Sequence, residues 1–315
     1  MTSTAVANTR AGWVPRLWRL ACKSWPEKIR VVGLFARRAF PAIPIPVRAS
    51  ADLWLLARQN HLGDHLLAGD YEESELSFVR RVLRPGMVAL DIGANEGLYS
   101  LFLARSVGSK GTVVAFEPSQ RERQRLQVNL WINLARNVRV EGSALSAEEG
   151  DSNLFVVETG ETGCNSLRPP AVQSSTRMVS VSTTTLDHYL RRNSMLRIDF
   201  MKIDVEGAEW SVLQGAKILL TTPPRPFVMI EVSDLRTRPW GYHSREIGMV
   251  LRDFGYDLFR PVAHGELVPA AMDDIEDGSY YNVIAVPHER ASEISFLLVG
   301  QATRQPVNAE SAVGC

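Results

Sequence analysis

Residues Met87 to Gly97 read Met-Val-Ala-Leu-Asp-Ile-Gly-Ala-Asn-Glu-Gly, and few folds can hold such a run. Met87 to Leu90 is a short apolar stretch of the kind buried on both faces of a sheet. Asp91 ends it, Gly93 and Gly97 bracket a tight turn, and Leu98, Leu101, Phe102 and Ala104 then recur at helical spacing. Strand, acid, glycine turn and helix in that order open a ligand-binding α/β unit, because ligands sit outside the carboxyl ends of parallel strands. A side chain at Gly93 would hold a ligand off the backbone, and glycine alone takes positive φ without penalty.

The pattern is D-x-G-A-N-x-G, not the dinucleotide fingerprint G-x-G-x-x-G. Fewer glycines, with no arrangement for a pyrophosphate, suit a ligand carrying an amino-acid tail and an adenosine. The candidate contacts in this stretch are Asp91, Gly93, Ala94, Asn95 and Gly97. Thr112 to Phe116 is a second buried strand, and it ends in Glu117-Pro118. An acid at the end of the second strand accepts hydrogen bonds from ribose hydroxyls. Glu117 lies somewhat beyond the usual spacing, which the turn from Gly108 to Gly111 explains.

Further motifs follow in order: Asn129 and Asn133, Ser143-Ala-Leu-Ser, Thr185-Leu-Asp, Lys202-Ile-Asp-Val-Glu-Gly-Ala-Glu, Leu213-x-Gly-Ala and Ile230-Glu. With Asp91-Ile-Gly-Ala-Asn-Glu-Gly and Phe116-Glu-Pro, this ordered set resembles the FkbM family of S-adenosylmethionine-dependent methyltransferases. The resemblance runs from about Tyr71 to Val232. It implies a Rossmann-like class I methyltransferase fold: a mostly parallel, seven-stranded sheet with helices on both faces. It also implies S-adenosylmethionine as cofactor and a hydroxyl of a sugar or secondary metabolite as methyl acceptor. Many such enzymes place an acid for the adenine amino group at the end of the third strand, here Val138 to Ala144. In this chain Ser143, or the backbone near Ala144, would take that place.

At 315 residues the chain has room for one large α/β domain with additions, or for two small domains. The expected division is an N-terminal arm and proline-rich linker (1–70), a methyltransferase domain (71–290) with an insertion at about 150–182, and a C-terminal segment with a disordered tail (291–315). The formal net charge is zero, so no global field draws the chain to nucleic acid. The three cysteines, Cys22, Cys164 and Cys315, lack metal or disulfide-framework spacing and fit a reducing cytoplasm. No apolar run approaches the roughly 18 residues of a membrane span, and the N-terminus lacks a secretory signal.

The arm up to Arg48 interleaves basic residues with Trp13, Leu17, Trp18 and Trp25 against a single acid, Glu27. It could make peripheral contact with a membrane surface or a partner. The favoured alternative is a helical arm packed beside the active site. Pro41, Pro44 and Pro46 predict an extended linker. His61 and His65, four apart, could share a helix face, but Gly63 intervenes and no metal is assigned. Leu154 to Val157 and Met178 to Val181 predict an inserted hairpin around a mobile flap, Gly160 to Pro170, which carries Asn165 and Ser166.

Methyl transfer to a hydroxyl needs the cofactor held, the acceptor in line, and usually a base for the departing proton. The field for the base is Asp204, Glu206, Glu209, Glu231 and His243. Asp204 and Glu231 stand at the ends of the fourth and fifth strands and open onto one edge if those strands are neighbours. One could act as base, or the two could bind a divalent cation. His243 follows the fifth strand in a loop and has a suitable pKa for base work. Asp204, Glu231 and His243 are the catalytic candidates. The acceptor is expected to be a small molecule or a glycan. The rival readings are an N-methyltransferase, a methyltransferase on a lipid-linked glycan, and a non-catalytic nucleoside-binding or assembly module.

Overall fold

The computed structural model describes residues 43–49, 52–69, 71–271 and 281–299. The basic arm up to residue 42 and the tail from residue 300 therefore lie outside the described residues. The chain divides into two units, Met1–Tyr71 and Glu72–Cys315.

In the first unit, β1 (Ile45–Arg48) pairs antiparallel with β2 (Trp54–Ala57), Ile45 opposite Ala57. The stretch around Pro46 is thus a strand and not an open linker. A two-stranded ribbon has only edges, the part of a sheet where proline is tolerated. Helix α1 (His61–Ala68) starts at Asn60, whose side chain accepts from the Gly63 amide at 2.9 Å. Gly63 does not interrupt this helix. A Cβ there would lie 2.0 Å from the Arg58 carbonyl oxygen, so only glycine lets the turn approach. His61 and His65 do share a face, their Nε2 atoms 3.2 Å apart.

The second unit begins with α2 (Glu73–Val82), β3 (Val88–Ile92), α3 (Leu98–Val107), β4 (Thr112–Phe116), α4 (Gln120–Ile132) and β5 (Val138–Glu141). A short β6 (Ala144–Leu145) precedes the long hairpin β7 (Gly150–Val157) and β8 (Thr176–Thr184). Next come α5 (Leu186–Arg192), β9 (Phe200–Ile203), α6 (Glu209–Gly215), α7 (Lys217–Thr221), β10 (Phe227–Val232), α8 (Asp234–Thr237) and α9 (Ser244–Asp253). Strands β11 (Tyr256–Pro261), β12 (Leu267–Pro269) and β13 (Tyr281–Pro287) lead into a 3-10 helix, His288–Leu297.

The main sheet runs β12-β11-β13-β10-β9-β3-β4-β5. From β10 to β5 every pairing is parallel, and β13, β11 and β12 add antiparallel pairings. This is the expected Rossmann-like class I architecture with one short edge strand, β12, beyond the seven foreseen. Leu90, Met201, Val114 and Ile230 join Leu186, Val212 and Ile247 of the covering helices in one core face. On the opposite face, Ser100 of α3 reaches Asp91.

Two boundaries differ from the sequence reading. The third strand stops at Glu141, and Ala144–Leu145 peels away to pair with β8 in a separate three-stranded sheet with β7. The helix expected from Glu206 starts at Glu209 instead. Glu206 and Gly207 both have positive φ (55° and 103°), which a helix cannot contain. Ser119 does precede α4, but its side chain makes no cap; its hydroxyl donates to Glu122 instead.

Candidate active site

The carboxyl ends of β3, β4 and β9 border a cleft of about 570 Å³. Its first wall is mostly main chain. The amides of Gly93 and Ala94 both donate to the Phe116 carbonyl at 3.0 Å, tying the β3 turn to the end of β4. Gly93 has φ +86°, and a Cβ on it would lie 1.8 Å from the Asp204 carbonyl oxygen. Gly97, at φ +91°, lets α3 start against Leu126 of α4. The Asn95 amide donates to Glu117 Oε2 at 2.8 Å, and the Ser119 amide to Glu117 Oε1 at 2.8 Å. Both oxygens of Glu117 are thereby aimed by backbone. Burial pushes its pKa up to about 8, the Ser119 amide holding it back only in part.

Of the residues proposed to meet a cofactor, Gly93, Asn95, Glu117, Ser143 and Ala144 line this cleft. Asp91, Ala94 and Gly97 stand behind it and shape the turn. Asp91 is buried and accepts from Ser100 Oγ at 2.5 Å, and burial raises its pKa to about 6. Phe116, Leu145, Leu154 and Leu167 supply apolar surface.

The second wall is carboxylate. Strands β9 and β10 are parallel neighbours, so Asp204 and Glu231 emerge at one edge. Lys202 Nζ lies 2.6 Å from Asp204 Oδ2 and 4.5 Å from the centre of the Tyr99 ring. Burial alone would lower the lysine's pKa, but Asp204, Glu72 and Asp91 outweigh it and keep the ammonium charged. Glu206 is half-buried and pairs with Arg236 Nε at 2.8 Å; the loss of solvent pushes its pKa up to about 8, Arg236 opposing. Glu231 is raised well above the carboxylate range by burial and by the charges of Asp204 and Glu206.

One oxygen from each of Asp204, Glu206 and Glu231 lies within 4.8 Å of the others, a spacing that a divalent cation could bridge. Glu209 has a different task. Its Oε1 accepts from the amides of Val205 and Gly207, at 3.1 and 3.2 Å, and so holds the turn between β9 and α6. His243 does not line the cleft. It precedes α9, with Nδ1 at 3.1 Å from Asp234 Oδ2 and its amide on Glu246 Oε1 at 2.8 Å. Burial would raise the Asp234 pKa, but hydrogen bonds from Ser244 and His243 bring it to about 2.

The roof comes from the insertion. Gly163, Asn165, Ser166 and Leu167 line the cleft. Ser166 Oγ donates to the Glu206 carbonyl at 2.7 Å, and Arg236 Nη2 lies 3.0 Å from Cys164 Sγ. The loop is fastened to the same turn that carries Glu206. Sequence reasoning left the facing of this loop open, and it passed over Arg236 because nothing local marks an arginine that pairs across two loops.

A family model describing the methyltransferase FkbM domain matches residues 91–258, just over half of the chain. The chain belongs to the FkbM methyltransferase family. Two curated proteins are similar to it. One is the AMB antimetabolite synthetase AmbE of Pseudomonas aeruginosa, 30% identical over 217 residues, covering 56% of this chain and 10% of that protein. The other is Methyltransferase 1 of Beauveria bassiana, 26% identical over 142 residues, covering 40% of this chain and 57% of that protein. The chain thus spans a tenth of the first and little over half of the second. Among solved structures, the methyltransferase FkbM of Methylobacillus flagellatus superposes at a TM-score of 0.40 with 16% identity, covering 71% of this chain and 52% of that one. No helix among the described residues is long and apolar enough to cross a membrane.

Proposed function

We propose that this FkbM methyltransferase uses S-adenosylmethionine and methylates a hydroxyl of a small molecule or glycan. The observation that carries the cofactor is the main-chain wall of the cleft. Gly93 leaves no space for a side chain, Glu117 is aimed from both oxygens, and Asn95 Oδ1 is buried without a hydrogen-bond partner. A buried carbonyl left in that state costs about 1–3 kcal/mol unless a ligand donates to it. The ammonium or a hydroxyl of an adenosyl amino acid is such a donor.

The fit extends to the rest of the group. Glu117 would accept from ribose hydroxyls, and Phe116, Leu145, Leu154 and Leu167 would enclose an adenine beside Ser143 and Ala144. When bound, S-adenosylmethionine supplies an electrophilic methyl on a sulfonium. Asp204 and Glu206 line that end of the cleft, with Glu231 beside them, and would favour a positive charge there.

Glu231 is the stronger base candidate. Asp204 already holds an ammonium at 2.6 Å, so taking a proton would break that pair. Glu231 forms no ion pair among the described residues, and its raised pKa makes it the more basic carboxylate once it has ionised. The zero net charge fits a small acceptor better than nucleic acid. The buried, unbridged thiol of Cys164 fits a cytoplasmic enzyme.

Calorimetry with S-adenosylhomocysteine tests the cofactor, and transfer of a labelled methyl to a hydroxylated acceptor pool tests the reaction. Binding at micromolar Kd with label appearing in ethers supports the proposal. Label appearing only in amines would replace the hydroxyl acceptor, and no binding would remove the cofactor.

A further inference from the structure

At the far edge of the main sheet, away from this site, β5 ends the strand order. No strand pairs with its outer side among the described residues. The Val113 amide donates to the Asn137 carbonyl and the Glu117 amide to the Glu141 carbonyl, so the odd-numbered residues turn their backbone groups toward β4. By alternation, Val138, Val140 and Gly142 turn theirs outward.

Beside this edge stands an exposed apolar surface. Trp131 is 77% exposed and Leu134 73% exposed, and both border a groove of about 830 Å³ with Leu130, Val138 and Val140. Leu134 sits just past the end of α4 with φ +53°, a position that usually selects glycine or asparagine.

We propose that β5 is the interface between two copies of this chain, joined antiparallel about a two-fold axis at Val140. The charges on the strand select the partner and the register. Arg139 and Glu141 share the face away from the groove, where they pair with each other within the chain, Arg139 lies over the Tyr189 ring and Glu141 accepts from the Tyr189 hydroxyl. With Val140 opposite its own copy, each Arg139 falls opposite the other copy's Glu141. A slip of one pair in either direction would set Arg139 against Arg139, or Glu141 against Glu141, and like charges directly opposite repel. A slip by a single residue would set apolar Val140 against a charged neighbour.

The same register matches the backbone. Val140 meets its copy, and Val138 meets Gly142, as hydrogen-bonded pairs, because these residues carry the outward amides and carbonyls. Arg139 and Glu141 then form the closer, non-hydrogen-bonded pairs. On the other face, the Trp131 and Leu134 surfaces of the two copies lie beside one another across the axis. The interface is isologous, so assembly closes at a dimer and does not run on as a filament.

Sedimentation equilibrium of the full chain tests this, with hydrogen exchange as a second readout. The wild type should be a dimer at micromolar concentration, with the amides of Val138, Val140 and Gly142 protected in proportion to dimer content. Val140→Pro removes an outward donor and no bond to β4, so it should give a folded monomer that binds S-adenosylhomocysteine as the wild type does. Trp131→Ser serves if that variant fails to fold, and it should weaken the dimer at least tenfold. Arg139→Glu should also weaken it, and Arg139→Glu with Glu141→Arg should restore it. A wild type that stays monomeric, or a dimer indifferent to both Val140→Pro and Trp131→Ser, overturns the proposal.

Discussion

The β3–β4 end of the cleft is walled by main chain; the β9–β10 end carries carboxyl groups. The first end is local. Its turn, from Asp91 to Gly97, is one continuous segment, and the amides that aim Glu117 belong to Asn95 and Ser119. The second end is assembled from Lys202, Asp204, Glu206, Glu231 and Arg236, which three separate segments bring together. A wall of main chain can hold a constant ligand across many relatives, since side-chain changes hardly alter it. A wall of side chains can be retuned for the acceptor.

If that division is right, the two ends should fail in different ways. Glu231→Gln should lower kcat by about 10²–10⁴, the range for loss of a positioned general base, with S-adenosylhomocysteine affinity unchanged. Rapid-quench turnover and calorimetry on the same preparation separate the two quantities. Asp204→Asn should lower kcat less than Glu231→Gln, since Asp204 is already paired with Lys202. Equal turnover in Glu231→Gln and wild type would move the base elsewhere.

Gly93→Ala strikes the other end. The new Cβ must displace the Asp204 carbonyl and sit at φ +86°, a change costing about 3 kcal/mol or more. S-adenosylhomocysteine affinity should fall roughly 100-fold, and denaturant unfolding should show the loss of stability directly. Glu117→Gln keeps the shape but removes the charge, so its effect should be smaller. Affinity should fall about tenfold, the value of a hydrogen bond to a charged group, while kcat at saturating cofactor stays near the wild type. A fall in kcat alone would place Glu117 with the acceptor and blur the division between the two ends.

The same contrast decides what the sequence could say. The strand, turn and helix around Asp91 are legible because apolar runs, glycines and strand-end acids report local geometry. The five parallel strands follow from that pattern, but their order came from the structure. The strand-end acid Glu117, which lines the cleft, was legible for the same reason. The roof was not: Ser166 reaches Glu206 through a fold of 40 residues, and Arg236 reaches Cys164 through 72. His243 illustrates the converse. A histidine after a strand looks catalytic, but here Asp234 and the start of α9 hold it away from the cleft. Ala144 misled in another way, since nothing in the sequence shows that the third strand hands its last residues to a second sheet.

The smallest effect concerns pH, and it distinguishes the ends without any mutation at the acceptor side. Glu117, Glu206 and Glu209 have folded pKa values of about 8, 8 and 7, above the 4.5 of an exposed glutamate. Between those limits the folded chain holds more protons than the unfolded chain. Their contribution to stability is therefore full below about pH 4.5 and is lost as pH rises toward 8. Asp234 and Glu289, with folded values of about 2, pull the other way, but only below about pH 4.5. From pH 6 to 8.5 the ligand-free chain should thus lose several degrees of Tm. S-adenosylhomocysteine should flatten that slope by offering hydroxyl donors to ionised Glu117, and should leave the share due to Glu206 and Glu209. Glu117→Gln should flatten it without ligand and make the ligand's effect on the slope disappear. If the ligand flattens the slope equally in that variant, its protons are exchanged at the carboxylate wall, and the main-chain end is not where the ribose lies.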